Sequence, residues 1–204
     1  MINYPKNRKT LPMRILGDSV LHSNTKEVTV EDDELRKFAE VMIESMYAKD
    51  GVGLAAPQVG VSLKMITLHV DPPMDDDGNL LRPLSPGEAE LCPKMPITVL
   101  NPRIVSFSEM KETKEEGCLS VPGIYAPVER PVNVVVAGKL LDGPEFCLEC
   151  TGLLARAFQH EIDHLNGVVF VQRVKDPHFE KALPAFKKVI KKSGAKNYQI
   201  KRLD

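Results

Sequence analysis

The five residues His160-Glu161-Ile162-Asp163-His164 constrain this chain more than any other feature. They lie in a run from about Gly152 to Asn166 where Leu153, Leu154, Ala157, Phe158 and Leu165 recur at helical spacing. Two histidines at i and i+4 project from one face of a helix about 6 Å apart, which suits two adjacent positions on one metal ion. Glu161, beside the first of them, could reach a water at that ion as a general base. The bland alternative is a chance spacing on a solvated helix. The apolar flanks argue against it, because they imply burial and buried imidazoles need partners. A metal site there needs at least a third protein ligand.

Composition sets the bounds. With 204 residues and 43% hydrophobic content, the chain suits a single domain spanning 1–204 with a sizeable core. Its 27 Lys+Arg against 28 Asp+Glu argue against a general nucleic-acid binder and exclude an acidic disordered chain. No apolar run approaches the ~20 residues that span a bilayer. The polar stretch from Met1 to Thr10 lacks the apolar region of a secretory signal. Four cysteines without such a signal suit thiols in a reducing compartment. The expectation is a soluble, cytoplasmic protein.

Of the other histidines, His22, His69 and His178 have no ligand-type neighbours in sequence. Cys118, in the polar turning segment Glu115-Glu116-Gly117-Cys118-Leu119-Ser120, is the better third ligand. A thiolate and two imidazoles leave one tetrahedral position open, as catalytic sites require. On spacing alone, a small buried hydrophobe is an equal reading of Cys118. A further constellation is Gly51-Val52-Gly53-Leu54-Ala55-Ala56-Pro57-Gln58. Its glycines allow close backbone approach, and it ends on a side-chain amide able to donate to an oxyanion. A phosphate-binding loop is discounted, since no Gly-Lys-Ser/Thr is present and the glycines follow a helix rather than a strand.

Periodicity predicts helices over about Glu31–Lys49, Gly152–Asn166 and Pro177–Lys192. Strands are expected at Val61–Val70, Ile97–Leu100, Ile104–Glu109, Val132–Gly138 and Glu145–Cys150. Residues 71–96 hold six of the 16 prolines beside Asp75-Asp76-Asp77 and read as a surface insertion. Helices among short hairpin-like strands favour an α+β architecture.

Gly51–Gln58, Glu116–Ser120 and Gln159–His164 closely resemble, in order, the three signature segments of the peptide deformylases. The resemblance extends over about residues 13–175 and includes the opening Arg14-Ile15-Leu16-Gly17-Asp18. Residues 71–96 are extra length beside the shorter bacterial members. The resemblance implies antiparallel sheets around a central helix bearing the His-Glu-x-x-His motif, plus a C-terminal helix. It implies that Cys118, His160 and His164 bind one divalent metal, usually Fe2+, with Zn2+, Ni2+ or Co2+ able to replace it. The reaction implied is hydrolysis of the N-formyl group from the initiator methionine of nascent polypeptides, with release of formate.

In that scheme a bound ion lowers the pKa of water towards roughly 7. Glu161 is the general base and then the acid. Gln58 and the Leu119 backbone N–H meet the oxyanion, and Gly53 and Gly123 pair with the substrate backbone. Val52, Leu153, Ala157 and the stem of Arg156 match the family's methionine pocket, the Arg156 charge reaching outward to water. Tyr125 falls where some bacterial members carry an Arg near the peptide cleft. Glu116 with Arg130 is an expected supporting ion pair. Asp163 either orients an imidazole or is an exposed acid.

Cys147-Leu148-Glu149-Cys150 has C-x-x-C spacing, but on a strand its ends face opposite sides, so both read as packing cysteines. The rival functions are a metallopeptidase of the His-Glu-x-x-His type, and a non-catalytic peptide- or metal-binding protein on this fold. Residues 175–204 hold nine Lys/Arg and three Asp/Glu, a net of +6 that leaves −7 on the rest. A solvated amphipathic helix, with Phe179, Leu183, Phe186 and Ile190 inward and residues 193–204 as a flexible basic tail, accounts for this charge. Attraction to ribosomal RNA is the functional alternative.

Overall fold

The computed structural model describes residues 2–196 and 198–203. Helix α1 (Asp33–Tyr47) begins where the Asp32 carboxylate accepts a hydrogen bond from the Leu35 N–H, with Asp33 and Glu34 in the first turn. Its buried face holds Leu35, Phe38, Ala39, Met42 and Met46, at helical spacing. Two strands follow, β1 (Gly53–Ala55) and β2 (Met65–Leu68). The expected strand over 61–70 is thus reduced to its four fully buried residues.

The 71–96 segment is not only loop. Met74 and Leu80 form an isolated bridge, and helix α2 (Pro86–Leu91) follows, with Leu91 in the core. Ser85 and Glu88 cap this helix reciprocally, with Pro86 in its first turn. Strand β3 (Ile97–Phe107) replaces two expected strands. Its register shifts between Leu100 and Arg103, where Asn101 takes φ 50° and its carboxamide bonds both the N–H and the C=O of Val28.

Strands β4 (Lys111–Cys118) and β5 (Val121–Pro131) form a separate antiparallel hairpin that periodicity did not reveal. In β4 only Glu116 is buried, so no apolar alternation marks it. Strand β5 carries three prolines, which a two-stranded sheet tolerates on its open edge. Strands β6 (Val134–Leu140) and β7 (Glu145–Cys150) complete a five-stranded sheet of order β1-β2-β3-β6-β7, every pair antiparallel.

The pleat sends alternate residues to opposite layers. Leu54, Met65 and Leu100 join α1, whereas Ala55, Ile66, Leu68 and Val99 join Leu154, Phe158 and Ile162 of helix α3 (Gly152–Leu165). Helix α3 lies between the sheet and the β4–β5 hairpin. Helix α4 (His178–Ser193) seals the hairpin's other side with Phe179, Phe186 and Val189 against Val121, Ala126 and Val128. Leu183 and Ile190 are half-buried, and Lys187, Lys188, Lys191 and Lys192 face solvent. Of the tail's described residues, the Tyr198 hydroxyl pairs with His22 Nε2 at 2.8 Å and the Leu203 N–H donates to the Gln172 carbonyl; Asn197 and Asp204 lie outside the described residues.

Candidate active site

Helix α3 supplies His160, Glu161 and His164, and the head of the β4–β5 hairpin supplies Cys118. The ligating atoms of Cys118, His160 and His164 all lie within 4.8 Å of one another, with Cys118 Sγ 3.2 Å from His164 Nε2. The Ser120 N–H and Gln58 Nε2 both point at the Cys118 sulfur, at 3.4 Å each. Burial holds the His164 imidazole well below its ordinary pKa, hence neutral and able to ligate.

Glu161 is buried, its Oε2 has no hydrogen-bond partner among the described residues, and burial pushes its carboxyl up to about 7. This donor set fits a divalent ion of the borderline-soft kind, and the unpartnered carboxylate oxygen beside it fits a proton acceptor at the same place.

Gln58 reaches the cluster from the turn after β1. Its Oε1 accepts the Ala55 N–H at 2.7 Å, and its Nε2 reaches Ser120 Oγ at 3.3 Å as well as Cys118. Fixing the oxygen in this way turns the amide N–H groups towards the ligands. Ser120, fully buried, was not singled out from the sequence; its position two residues after Cys118 is the only signal. Gly53 is required by space: a Cβ there would lie 2.4 Å from Glu161 Oε1.

Behind the ligands sits a buried charge network. Glu116 accepts from Arg130 Nε and Nη2 (2.7 and 2.8 Å), from Arg156 Nη1 (2.7 Å) and from His160 Nδ1 (3.0 Å). Burial alone would raise the Glu116 pKa, but Arg130 and His160 reverse this and hold it well below the usual carboxylate range. With Nδ1 so engaged, His160 keeps Nε2 for the cluster. The expected Glu116–Arg130 pair is therefore present.

Two expectations are corrected. The Arg156 guanidinium does not reach outward: it turns into the protein, bonding Glu116 and the carbonyls of Val128 and Glu112. An acid in the desolvated interior outcompetes distant water for the charge. Asp163 neither orients an imidazole nor lies exposed: it is buried, receiving Arg130 Nη1 and both arms of Arg173 at 2.6 Å. His164 Nδ1 has no partner among the described residues. The C-x-x-C pair also divides, with Cys150 in the core and Cys147 exposed, both free thiols.

The cluster opens on a cleft of about 640 Å³ lined by Val52, Gly53, Gln58, Cys118, Leu119, Gly123, Tyr125, Leu153, Arg156, Ala157, His160 and Glu161. His164 lies deeper. Val52, Leu153 and Tyr125 are largely exposed around the opening, with the Tyr125 ring lying over Gly117.

An α+β fold whose central helix brings a carboxylate and two imidazoles, and whose hairpin brings a cysteine, together beside an open cleft is that of a hydrolase. Residues 10–180 match the family model described as polypeptide deformylase. Peptide deformylase 2 of Gloeobacter violaceus is 44% identical over 178 residues, covering 86% of each chain. The peptide deformylase of Brucella suis is 40% identical over 185 residues, covering 91% of this chain and 96% of its own. A crystal structure of the Synechococcus elongatus peptide deformylase with actinonin superposes with a TM-score of 0.74 at 35% identity, covering 100% of this chain and 98% of that one. That of the Ehrlichia chaffeensis enzyme gives 0.75 at 36% identity, covering 91% and 97%. The chain belongs to the peptide deformylase family.

Proposed function

We propose that this enzyme hydrolyses the formamide of N-formyl-methionine at the start of nascent polypeptides, with one divalent ion held by Cys118, His160 and His164. When bound, that ion, Fe2+ or in its place Zn2+, Ni2+ or Co2+, supplies Lewis-acid activation of water and of the formyl oxygen. Glu161 takes the proton of the attacking water and delivers it to the departing amine nitrogen. Its buried, unpartnered oxygen and its pKa near 7 suit a group that must both accept and return a proton.

Charge growing on the formyl oxygen is met by the Leu119 N–H and the Gln58 amide. In the resting site the two Nε2 hydrogens of Gln58 are directed at Ser120 and Cys118. The oxyanion role therefore requires the one on sulfur to be redirected as charge develops. The backbone of Gly53 and Gly123 pairs with the extended substrate. Val52, Leu153, Ala157 and the Arg156 stem receive the methionine side chain, and Tyr125 meets later residues. The exposed lysines of α4 are the face that would meet ribosomal RNA in this scheme.

The observation that carries the reading is the convergence of three ligand atoms within 4.8 Å beside a buried, unpartnered carboxylate at an open cleft. The test is mass analysis of an N-formyl-Met tripeptide after incubation with the metal-loaded enzyme, before and after chelation. Loss of formyl with an intact tripeptide, stopped by chelation and restored by Fe2+, is the expected result. Cleavage of a peptide bond instead would establish the metallopeptidase alternative.

A further inference from the structure

The 71–96 segment supplies no residue to the Cys118–His160–His164 cluster, yet it grips the start of the helix that carries two of them. Glu88 is 2% exposed. Its Oε2 accepts from the Ser85 N–H and hydroxyl and from Arg82 Nη1, each at 2.9 Å, and from the Thr151 hydroxyl at 3.0 Å; its Oε1 takes Arg82 Nη2 at 2.6 Å. Thr151 is the N-cap of α3, but its side chain makes no capping bond within the helix and is committed to Glu88. The next residue, Gly152, has φ 59°, and a Cβ there would lie 2.4 Å from Arg82 Nη2. The segment thus places an ion pair directly on the first turn of α3, and the following residue, Leu153, lines the catalytic cleft.

We propose that Arg82 and Glu88 are positioning residues for the deformylation reaction: they clasp Thr151 and Gly152 and so set where Leu153 stands in the side-chain pocket. The inference rests on the cleft beside Leu153 receiving the formyl-methionine side chain. An insertion held only for its own stability has no need to engage the hydroxyl that would otherwise cap the helix. The clasp costs α3 its own cap and fixes the first turn from outside, where a negative charge also suits the helix dipole. The carboxylate is held ionised for this task, since its partners outweigh burial and keep its pKa at about 2.

The experiment compares wild type with T151V, T151S and R82M, each loaded with one divalent ion per chain. The steady-state arm uses N-formyl-Met and N-formyl-Ala tripeptides, and amide hydrogen exchange is followed over residues 152–165. T151V removes only the hydroxyl link and keeps the fold, so R82M is not relied on alone. The expected result is a KM for formyl-Met raised about 3–10-fold with kcat within about twofold. Preference for Met over Ala falls in parallel. Exchange is about tenfold faster at 152–157 and unchanged at 160–165, and T151S restores all three.

A lower melting temperature with wild-type KM, side-chain preference and exchange pattern would overturn the clasp and leave a merely stabilising insertion. Wild type that exchanges as described but deformylates neither peptide would sink the functional reading instead. The exchange of T151V would then decide the clasp by itself.

Discussion

The tightest constraint in the site is a missing side chain. A Cβ on Gly53 would stand 2.4 Å from Glu161 Oε1, while nothing about the Gly53 backbone forbids alanine. Gly53→Ala is therefore expected to fold with a lowered melting temperature and to lose about 100-fold or more in kcat, because the carboxylate must move off its line. A variant with kcat within a few-fold of wild type would show that Glu161 has slack. Residues of this kind were legible from sequence where chemistry and spacing coincide: the i, i+4 histidines, the turning cysteine segment, and the glycines before Gln58. Arg156 was legible only in part. Its helical position puts its stem in the cleft, but the acid that turns its charge inward lies 40 residues earlier, on a strand that no apolar pattern announces. Asp163 failed for the same reason, since its partners Arg130 and Arg173 come from other elements.

At the scale of elements, the three long helices followed from periodicity: α1 and α4 each bury one apolar stripe, and α3, buried on nearly every side, still repeats its apolar residues at helical spacing. The β4–β5 hairpin did not, because Lys111 to Glu116 is almost wholly charged and its one buried residue is an acid. That residue, Glu116, is stabilised by cations from β5 and α3 rather than by apolar contact, so the hairpin is an electrostatic cover for α3 as much as a hydrophobic one. Helix α2 was hidden by proline density, although Ser85-Pro86-Gly87-Glu88 carries the spacing of a capping box.

The anchoring of α2 has a pH signature. Burial would raise the Glu88 pKa, but Arg82, Ser85 and Thr151 lower it from the ordinary 4.5 to about 2. Its contribution is therefore complete above about pH 4.5 and is lost as pH falls towards 2. Arg82 is 37% exposed, so solvent screening reduces the contribution to about 1–2 kcal/mol. The stability difference between wild type and Glu88→Gln, from urea unfolding, is expected to shrink across that window; a difference independent of pH would contradict the assignment.

The whole molecule divides its labour by layer. The five-stranded sheet supports α1 and α3 on opposite faces, and its edge strand β1 presents Gly53 to the cleft. The hairpin brings Cys118 to α3 and Glu116 to His160, and α4 closes the far side. Charge follows the same division, with the +6 of residues 175–204 set apart from the −7 of the remainder. Length and composition allowed a sizeable core, but only contacts between distant segments make a site of it.

The central claim is that Glu161 moves the proton at a metal held by Cys118, His160 and His164. The most direct measurement is formate release from an N-formyl-Met tripeptide by Fe2+-loaded wild type and Glu161→Gln prepared without oxygen, with metal content determined on the same samples. An N-acetyl peptide serves as control. The account predicts one ion per chain in both proteins, turnover of the formyl peptide alone by wild type, and a loss of about 10²–10⁴-fold in Glu161→Gln. A Glu161→Gln protein with full metal and near-wild-type turnover would contradict it.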